Sequence, residues 1–282
     1  MKIGFIGLGN MGAPMAHSLQ TAGHKVLCFD PIAKPDGLSL GASITDAIAH
    51  IVVMMLPNGD IARSVAAEIL PFMAKGSTLI DCSTIDVASA RYIASLAMSH
   101  NVHSLDAPVS GGVGGAEAGT LTFMVGGVEA VYENAKPIFD IMGQKSVYCG
   151  GFGSGQAAKI CNNMILGATM IATCEAFGLA DKLGLDRQAM YDVTSTSSGQ
   201  SWSMTTYCPA TGIGPNSPAD NNYTPGFSAD LMLKDLKLAL DAAIKAGADT
   251  PMAAKAAQLY DNFVNAGSGS GKDFSAILKT FT

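Results

Sequence analysis

The chain of 282 residues is 48% hydrophobic with a mean hydropathy of +0.28, enough for two ordinary domains that each bury a core. A net charge of −6, a sequence pI near 5.2 and the absence of any Lys/Arg cluster exclude a nucleic-acid backbone as partner, because that affinity comes from massed cations. Only 14% of residues are charged, so part of the surface is expected to be covered by further copies of the chain, as a homodimer or homotetramer.

The first 30 residues read as a short apolar strand, a glycine turn, a helix and a second apolar strand ending in an acid. Gly7, Gly9 and Gly12 make a G-x-G-x-x-G pattern between that strand and helix, and Asp30 follows eighteen residues after Gly12. This is the arrangement that binds a dinucleotide: Gly7 permits the tight turn, Gly9 admits the pyrophosphate to the backbone, and Gly12 lets the helix pack on the strand. Cofactor contacts are therefore expected at Gly7, Gly9, Asn10, Met11 and Gly12, with the phosphates at the helix N-terminus. A carboxylate at Asp30 suits ribose hydroxyls and repels a 2′-phosphate, so NAD is expected over NADP, although Lys34 lies close by.

Strands and helices then alternate: a strand over 50–56, a helix over 61–72, a strand over 77–82, a helix over 87–99, strands over 102–109 and 121–127, a helix over 129–142 and a strand over 145–150. This alternation predicts an α/β Rossmann domain over residues 1–153, doubly wound around a mostly parallel sheet with helices on both faces. Its ligand belongs beyond the carboxyl ends of the strands, where Leu56, Pro57 and Thr84 fall as further cofactor contacts.

After the glycine-rich 150–155 the pattern becomes purely helical, so residues 154–282 are expected to be an all-α domain, joined by a long interdomain helix over 156–183 that is apolar enough to be buried all round. Further helices are predicted over 187–194, 229–246, 251–265 and 274–280. The stretch 197–226, rich in Gly, Pro, Ser and Asn, is too long for a plain connector. Six dispersed cysteines, with no C-x-x-C pair and no histidine at zinc spacing, read as reduced, buried thiols rather than metal ligands. No uninterrupted apolar run reaches the ~18 residues of a membrane helix, and the glycine-broken N-terminus does not suit a secretory leader, so the protein is expected in the cytoplasm.

Oxidation of an alcohol by a nicotinamide cofactor needs a base for the hydroxyl proton. All five histidines lie at or before residue 103, and no Tyr-x-x-x-Lys is present, which leaves Lys159 at the domain junction as the candidate. Lys159, Asn162 and Asn163 share one helical face by their spacing. A partly buried lysine can take up and return a proton near neutral pH, and Asn163 can bond a substrate oxygen without adding charge. Ser110, Gly111 and Gly112 offer a hydroxyl and unobstructed backbone N–H groups suited to a substrate carboxylate.

The stretches FIGLGNMGAPMA, DAPVSGGVGGAEAGTL, GSGQAAKICNN and LMLKDLKLA together resemble the β-hydroxyacid dehydrogenase family along almost the whole chain. The segments SGQSWSMTTYCPATG, SPADNNYTPGF and KDFSAI narrow the resemblance to a branch acting on a methyl-branched β-hydroxy acid. The resemblance implies subunits that pair through the helical half, Lys159 as the catalytic residue, Ser110, Gly111, Gly112 and Asn163 on the substrate, and Lys234 near the nicotinamide of NAD. Trp202, Tyr207 and Phe227 either wall an apolar pocket for the methyl branch or pack the core. The alternatives are a reductase of a semialdehyde such as tartronate or succinic semialdehyde, and a dinucleotide-binding module without chemistry; the intact lysine and Ser-Gly-Gly turn disfavour the second.

Overall fold

In the first strand, β1 (Lys2–Ile6), Ile3 and Phe5 point into one core cluster and Ile6 into another, because successive side chains of a strand alternate between faces. The same alternation recurs in β4 (Ile51–Met54), where Val53 faces the first cluster and Val52 and Met54 the second. A sheet apolar on both faces must be covered on both. The first face is covered by α1 (Gly12–Thr21), through Met15, Ala16 and Leu19, and by α5 (Glu129–Met142). The second is covered by α2 (Gly59–Ile69) and α3 (Val87–Ser99). Asn58 and Asp86 start these two helices as N-caps, accepting from the backbone N–H of Ile61 and Ser89.

The computed structural model describes all residues from Met1 to Thr282, and they divide into two compact units, Met1–Lys159 and Ile160–Thr282. The first unit adds β2 (Lys25–Phe29), β3 (Ser39–Leu40), β5 (Thr78–Asp81), β6 (His103–Asp106), β7 (Val109–Ser110), a six-residue helix α4 (Gly112–Glu117), β8 (Leu121–Gly127) and β9 (Gly143–Gly150). The sheet runs β3-β2-β1-β4-β5-β6-β8-β7, with β9 on β8. Its strands pair in parallel from β3 through β6; β8 then runs antiparallel to β6 and β7. The strand order reverses at β1 and β4, and the turns after such a switch point are where sheets of this kind receive ligand.

The second unit consists of helices: most of α6 (Ser154–Leu183), then α7 (Arg187–Thr194), α8 (Trp202–Thr205), α9 (Ala229–Ala246), α10 (Pro251–Asn265) and a closing 3-10 segment, Phe274–Thr280. Its core is built from Met170, Cys174 and Phe177 of α6 against Met232, Leu236, Tyr260 and Phe274. Two expectations are corrected. The long helix is not buried all round, since Cys161, Ile165, Leu179 and Leu183 lie exposed along it. One side of the helix packs inward through Met170, Cys174, Phe177 and Ala180, while the other carries large apolar side chains to the surface of the single chain, so an apolar composition on every side does not require burial on every side. The thiols are likewise not all buried: Cys161 is exposed on the outer side of that helix, and Cys149 is half-buried near the end of β9, a strand paired only with β8. By length and composition α6 could cross a membrane, yet half of its most apolar window is buried inside the fold. The 197–226 stretch contains α8 and a short 3-10 turn, Pro218–Asn221.

Candidate active site

The turn after β1 is shaped by what its glycines cannot carry. Gly7 has φ +95°, and a Cβ there would stand 2.2 Å from the Met55 carbonyl oxygen. A Cβ on Gly12 would stand 1.9 Å from the Gly7 oxygen, whereas one on Gly9 would meet nothing within 4 Å. The turn is thus closed against the protein at Gly7 and Gly12 and open at Gly9. Asn10 is exposed and Met11 precedes α1 without a side-chain cap; the Ala13 N–H donates to the Gly9 oxygen and Pro14 has no N–H, while Gly9 and Asn10 stay open to solvent at the positive end of the helix. Such a cradle fits a dinucleotide pyrophosphate.

Asp30, just past β2, ties this turn to the next loop. Its Oδ2 accepts from the Leu8 N–H at 2.8 Å, and its Oδ1 accepts from the N–H groups of Ile32 and Ala33, each at 2.8 Å. Burial alone would raise the carboxyl, but the amides of Leu8, Ala33 and Ile32, with Lys34 nearby, outweigh it and hold it below the ordinary carboxylate range. Lys34 donates to the Asp30 carbonyl oxygen at 2.6 Å. A carboxylate offers about four lone-pair directions, so one remains for a ribose hydroxyl.

Leu56 and Gly7 are brought together, the leucine Cδ2 lying 3.1 Å from where a Gly7 Cβ would be. The Leu56 N–H donates to Ser83 Oγ at 2.8 Å, linking the turns that follow β4 and β5. Pro57 is exposed and Thr84 half-buried at the ends of the same strands. Ser110 closes β7, and Gly111 and Gly112, at φ +136° and +63°, turn the chain into α4.

Lys159 is 7% exposed, six residues into α6. What seats that helix is a pair of residues distant in the chain or silent in its pattern. Asp106, the last residue of β6, is buried and accepts from the N–H of Gly153 at 2.8 Å and of Gln156 at 2.9 Å. The Gln156 side chain, fully buried, donates from Nε2 to the Ser83 carbonyl at 2.7 Å and accepts at Oε1 from Ile85 N–H at 3.1 Å. Burial pushes the Asp106 carboxyl up against the opposing pull of these amides.

In the second unit Asn163 is 1% exposed and donates from Nδ2 to Asp235 Oδ2 at 2.5 Å, while its Oδ1 accepts from Asn162 at 2.9 Å. Asn162 itself is exposed, so the three polar residues of that helix face are not equally sheltered. Asp235 Oδ1 lies 3.4 Å from Lys234 Nζ. Asp235 escaped the sequence reading; its adjacency to Lys234 on a helix carries no signal for a partner 72 residues away. Tyr207 and Phe227 both pack on Phe274, and the Tyr207 hydroxyl donates to Asp273 at 2.8 Å. Trp202 stacks on Tyr207 at 4.7 Å and stays 48% exposed.

A glycine cradle at the switch point of a doubly wound sheet, followed in the chain by an all-helical unit, defines a two-domain protein of the dinucleotide-binding class. The family model described as the NAD binding domain of 6-phosphogluconate dehydrogenase matches residues 2–151, and that described as NAD-binding of NADP-dependent 3-hydroxyisobutyrate dehydrogenase matches 153–281. A probable 3-hydroxyisobutyrate dehydrogenase of Mycobacterium tuberculosis is 46% identical, covering 99% of this chain and 97% of its own. An NAD-dependent L-serine dehydrogenase of Pseudomonas aeruginosa is 41% identical, with coverage of 99% and 97%. The solved structure of Mycobacterium tuberculosis 3-hydroxyisobutyrate dehydrogenase with L-serine superposes with a TM-score of 0.94 at 45% identity, covering 99% of this chain and 98% of that one. The chain belongs to the 3-hydroxyisobutyrate dehydrogenase branch of the β-hydroxyacid dehydrogenases, enzymes that use NAD.

Proposed function

We propose that the protein oxidises 3-hydroxyisobutyrate to methylmalonate semialdehyde, a step of valine breakdown, with Lys159 as general acid and base. NAD, when bound, supplies the hydride acceptor. Gly7, Gly9, Asn10, Met11, Gly12, Asp30, Leu56, Pro57 and Thr84 hold it, with Lys234 reaching the nicotinamide end. Lys159 Nζ takes the hydroxyl proton as the alcohol carbon gives up its hydrogen, and returns it in the reverse direction. Ser110, Gly111 and Gly112 hold the substrate carboxylate, and Asn163 bonds a substrate oxygen. The observation that carries this reading is the burial of Lys159: an ammonium is strongly hydrated, and sheltering one at the start of a helix is costly unless its charge is used.

A second reading, oxidation of L-serine, is favoured by the relative named for that activity and by the serine in the similar solved structure. Steady-state kcat/KM with NAD and with NADP, across 3-hydroxyisobutyrate, L-serine and the reverse reduction of tartronate and succinic semialdehydes, decides among them. The proposal requires 3-hydroxyisobutyrate with NAD to lead the panel; a leading rate on any other member replaces it, and no turnover at all leaves a binding module.

The domains proposed are a dinucleotide-binding unit over 1–153 and a substrate and oligomerisation unit over 154–282. The apolar side chains exposed on α6, Ile165, Leu179 and Leu183, support pairing of copies through that helix, in a cytoplasmic homodimer or homotetramer. Light scattering reads the mass: a multiple of 28.9 kDa is expected, and a monomer at micromolar concentration contradicts it.

A further inference from the structure

We propose that Asp106 and Gln156 are positioning residues for the reaction: they clamp the first turn of α6 onto the ends of β5 and β6 and thereby set where the Lys159 amine stands. The inference rests on the reading of Lys159 as the proton carrier.

Helices are normally capped by a side chain at their own first boundary residue. Here that residue, Gly153, has none, and the capping carboxylate comes from Asp106, 47 residues earlier at the end of a strand. The cap therefore joins sheet to helix rather than only finishing the helix. Both carboxylate oxygens are used, one on the amide of Gly153 and one on that of Gln156, so the contact fixes rotation about the helix axis as well as distance. Buried charge-assisted bonds of this kind are among the stronger ones.

Two glycines allow the close seating. A Cβ on Gly155 would fall 2.3 Å from the Met124 oxygen and 2.5 Å from the Asp106 carbonyl, and one on Gly126 would fall 2.5 Å from Asp106 Oδ1. The helix start is thus in backbone contact with the strand ends. Gln156 adds an independent hold, its amide closing on both the Ser83 carbonyl and the Ile85 N–H, on either side of Thr84. Because Ser83 Oγ also receives the Leu56 amide, the turns after β4 and β5 and the first turn of α6 form one hydrogen-bonded body. Lys159 is three residues beyond Gln156, on the same side of the helix. A misplacement of ~1 Å in a reacting group costs about a hundredfold in rate.

The test uses the full-length enzyme, with Asp106→Asn, which keeps shape but loses an acceptor, and Gln156→Met, which keeps volume but loses both side-chain bonds. Each is made alone and with Lys159→Ala, and kcat, the KM for NAD and the melting temperature are measured. In each single variant kcat is expected to fall about 10- to 100-fold with the KM for NAD within about threefold. In the Lys159→Ala background the same changes are expected to cost under about threefold more, because residues that act through one group are not additive. If Asp106→Asn does not fold, Gln156→Met carries the test alone, since it leaves the carboxylate cap in place. Folded single variants with unchanged kcat, or full losses that multiply onto Lys159→Ala, overturn the inference while leaving the lysine reading intact. Undiminished turnover of Lys159→Ala alone overturns that reading and this inference with it.

Discussion

Asp81 and Asp106 stand opposite one another at the ends of β5 and β6, in register across the parallel pair and both almost wholly buried. Burial pushes the Asp81 carboxyl up to about 6; bonds from Ser83 oppose the rise and the neighbouring Asp106 charge adds to it. Its Oδ1 accepts from Ser83 N–H at 3.0 Å, and its Oδ2 has no hydrogen-bond partner. A raised folded-state value means that the native state holds the proton more tightly than the unfolded chain, whose carboxyl titrates near 3.9. Stability contributed by this site is therefore greatest below about pH 4 and is lost as pH rises through about 6, by about 3 kcal/mol. Asp81→Asn does not titrate, so its melting temperature relative to wild type is expected to rise between pH 4 and pH 7. A pH-independent difference would show that Asp81 titrates normally.

The glycine turn separates folding from binding. Gly12→Ala forces a Cβ onto the Gly7 carbonyl, a backbone clash, and is expected to lower stability by about 1–3 kcal/mol or more and to abolish NAD binding. Gly9→Ala points into open space and is expected to melt like wild type while weakening NAD by about tenfold or more, since the methyl would stand where the pyrophosphate is proposed to approach. Thermal melts and NADH fluorescence titrations of the two variants check this. Unchanged NAD affinity in Gly9→Ala would place the phosphates elsewhere.

Asp30 serves the turn and, in the reading proposed, the choice of cofactor. Replacing it by Asn removes the charge and one acceptor among those now facing Leu8, Ile32 and Ala33. Losing a charge-assisted bond, about 1.5–3 kcal/mol, predicts a fall of roughly 10- to 100-fold in kcat/KM for NAD and a smaller fall, or a gain, for NADP. The ratio of the two values is the readout, and a ratio that stays constant would remove Asp30 from cofactor selection.

The parts of this fold legible in the sequence are those whose signal is local. The unbroken apolar run over 51–56 and the glycine-rich turn before the helical 156–183 each announce an element within a few positions of themselves. The Gly-x-Gly spacing works the same way, because a positive φ at Gly7 and the absent Cβ of Gly12 are requirements of single positions. Asp106 on Gly153 and Asn163 on Asp235 were not legible: an aspartate in a strand or a helix looks the same whether or not an amide 47 or 72 residues away meets it. The exposed side of α6 was hidden for a related reason, since apolar residues on every side of a helix, Ile165, Leu179 and Leu183 among them, leave no stripe to mark which face is covered.

In the proposed reaction the Lys159 amine carries the proton of the alcohol. That role is read from kcat of Lys159→Ala on 3-hydroxyisobutyrate at saturating NAD, with cofactor binding followed separately by NADH fluorescence. A loss of roughly two to four orders of magnitude with binding retained is expected; turnover within a few fold of wild type would remove the lysine from the proton transfer.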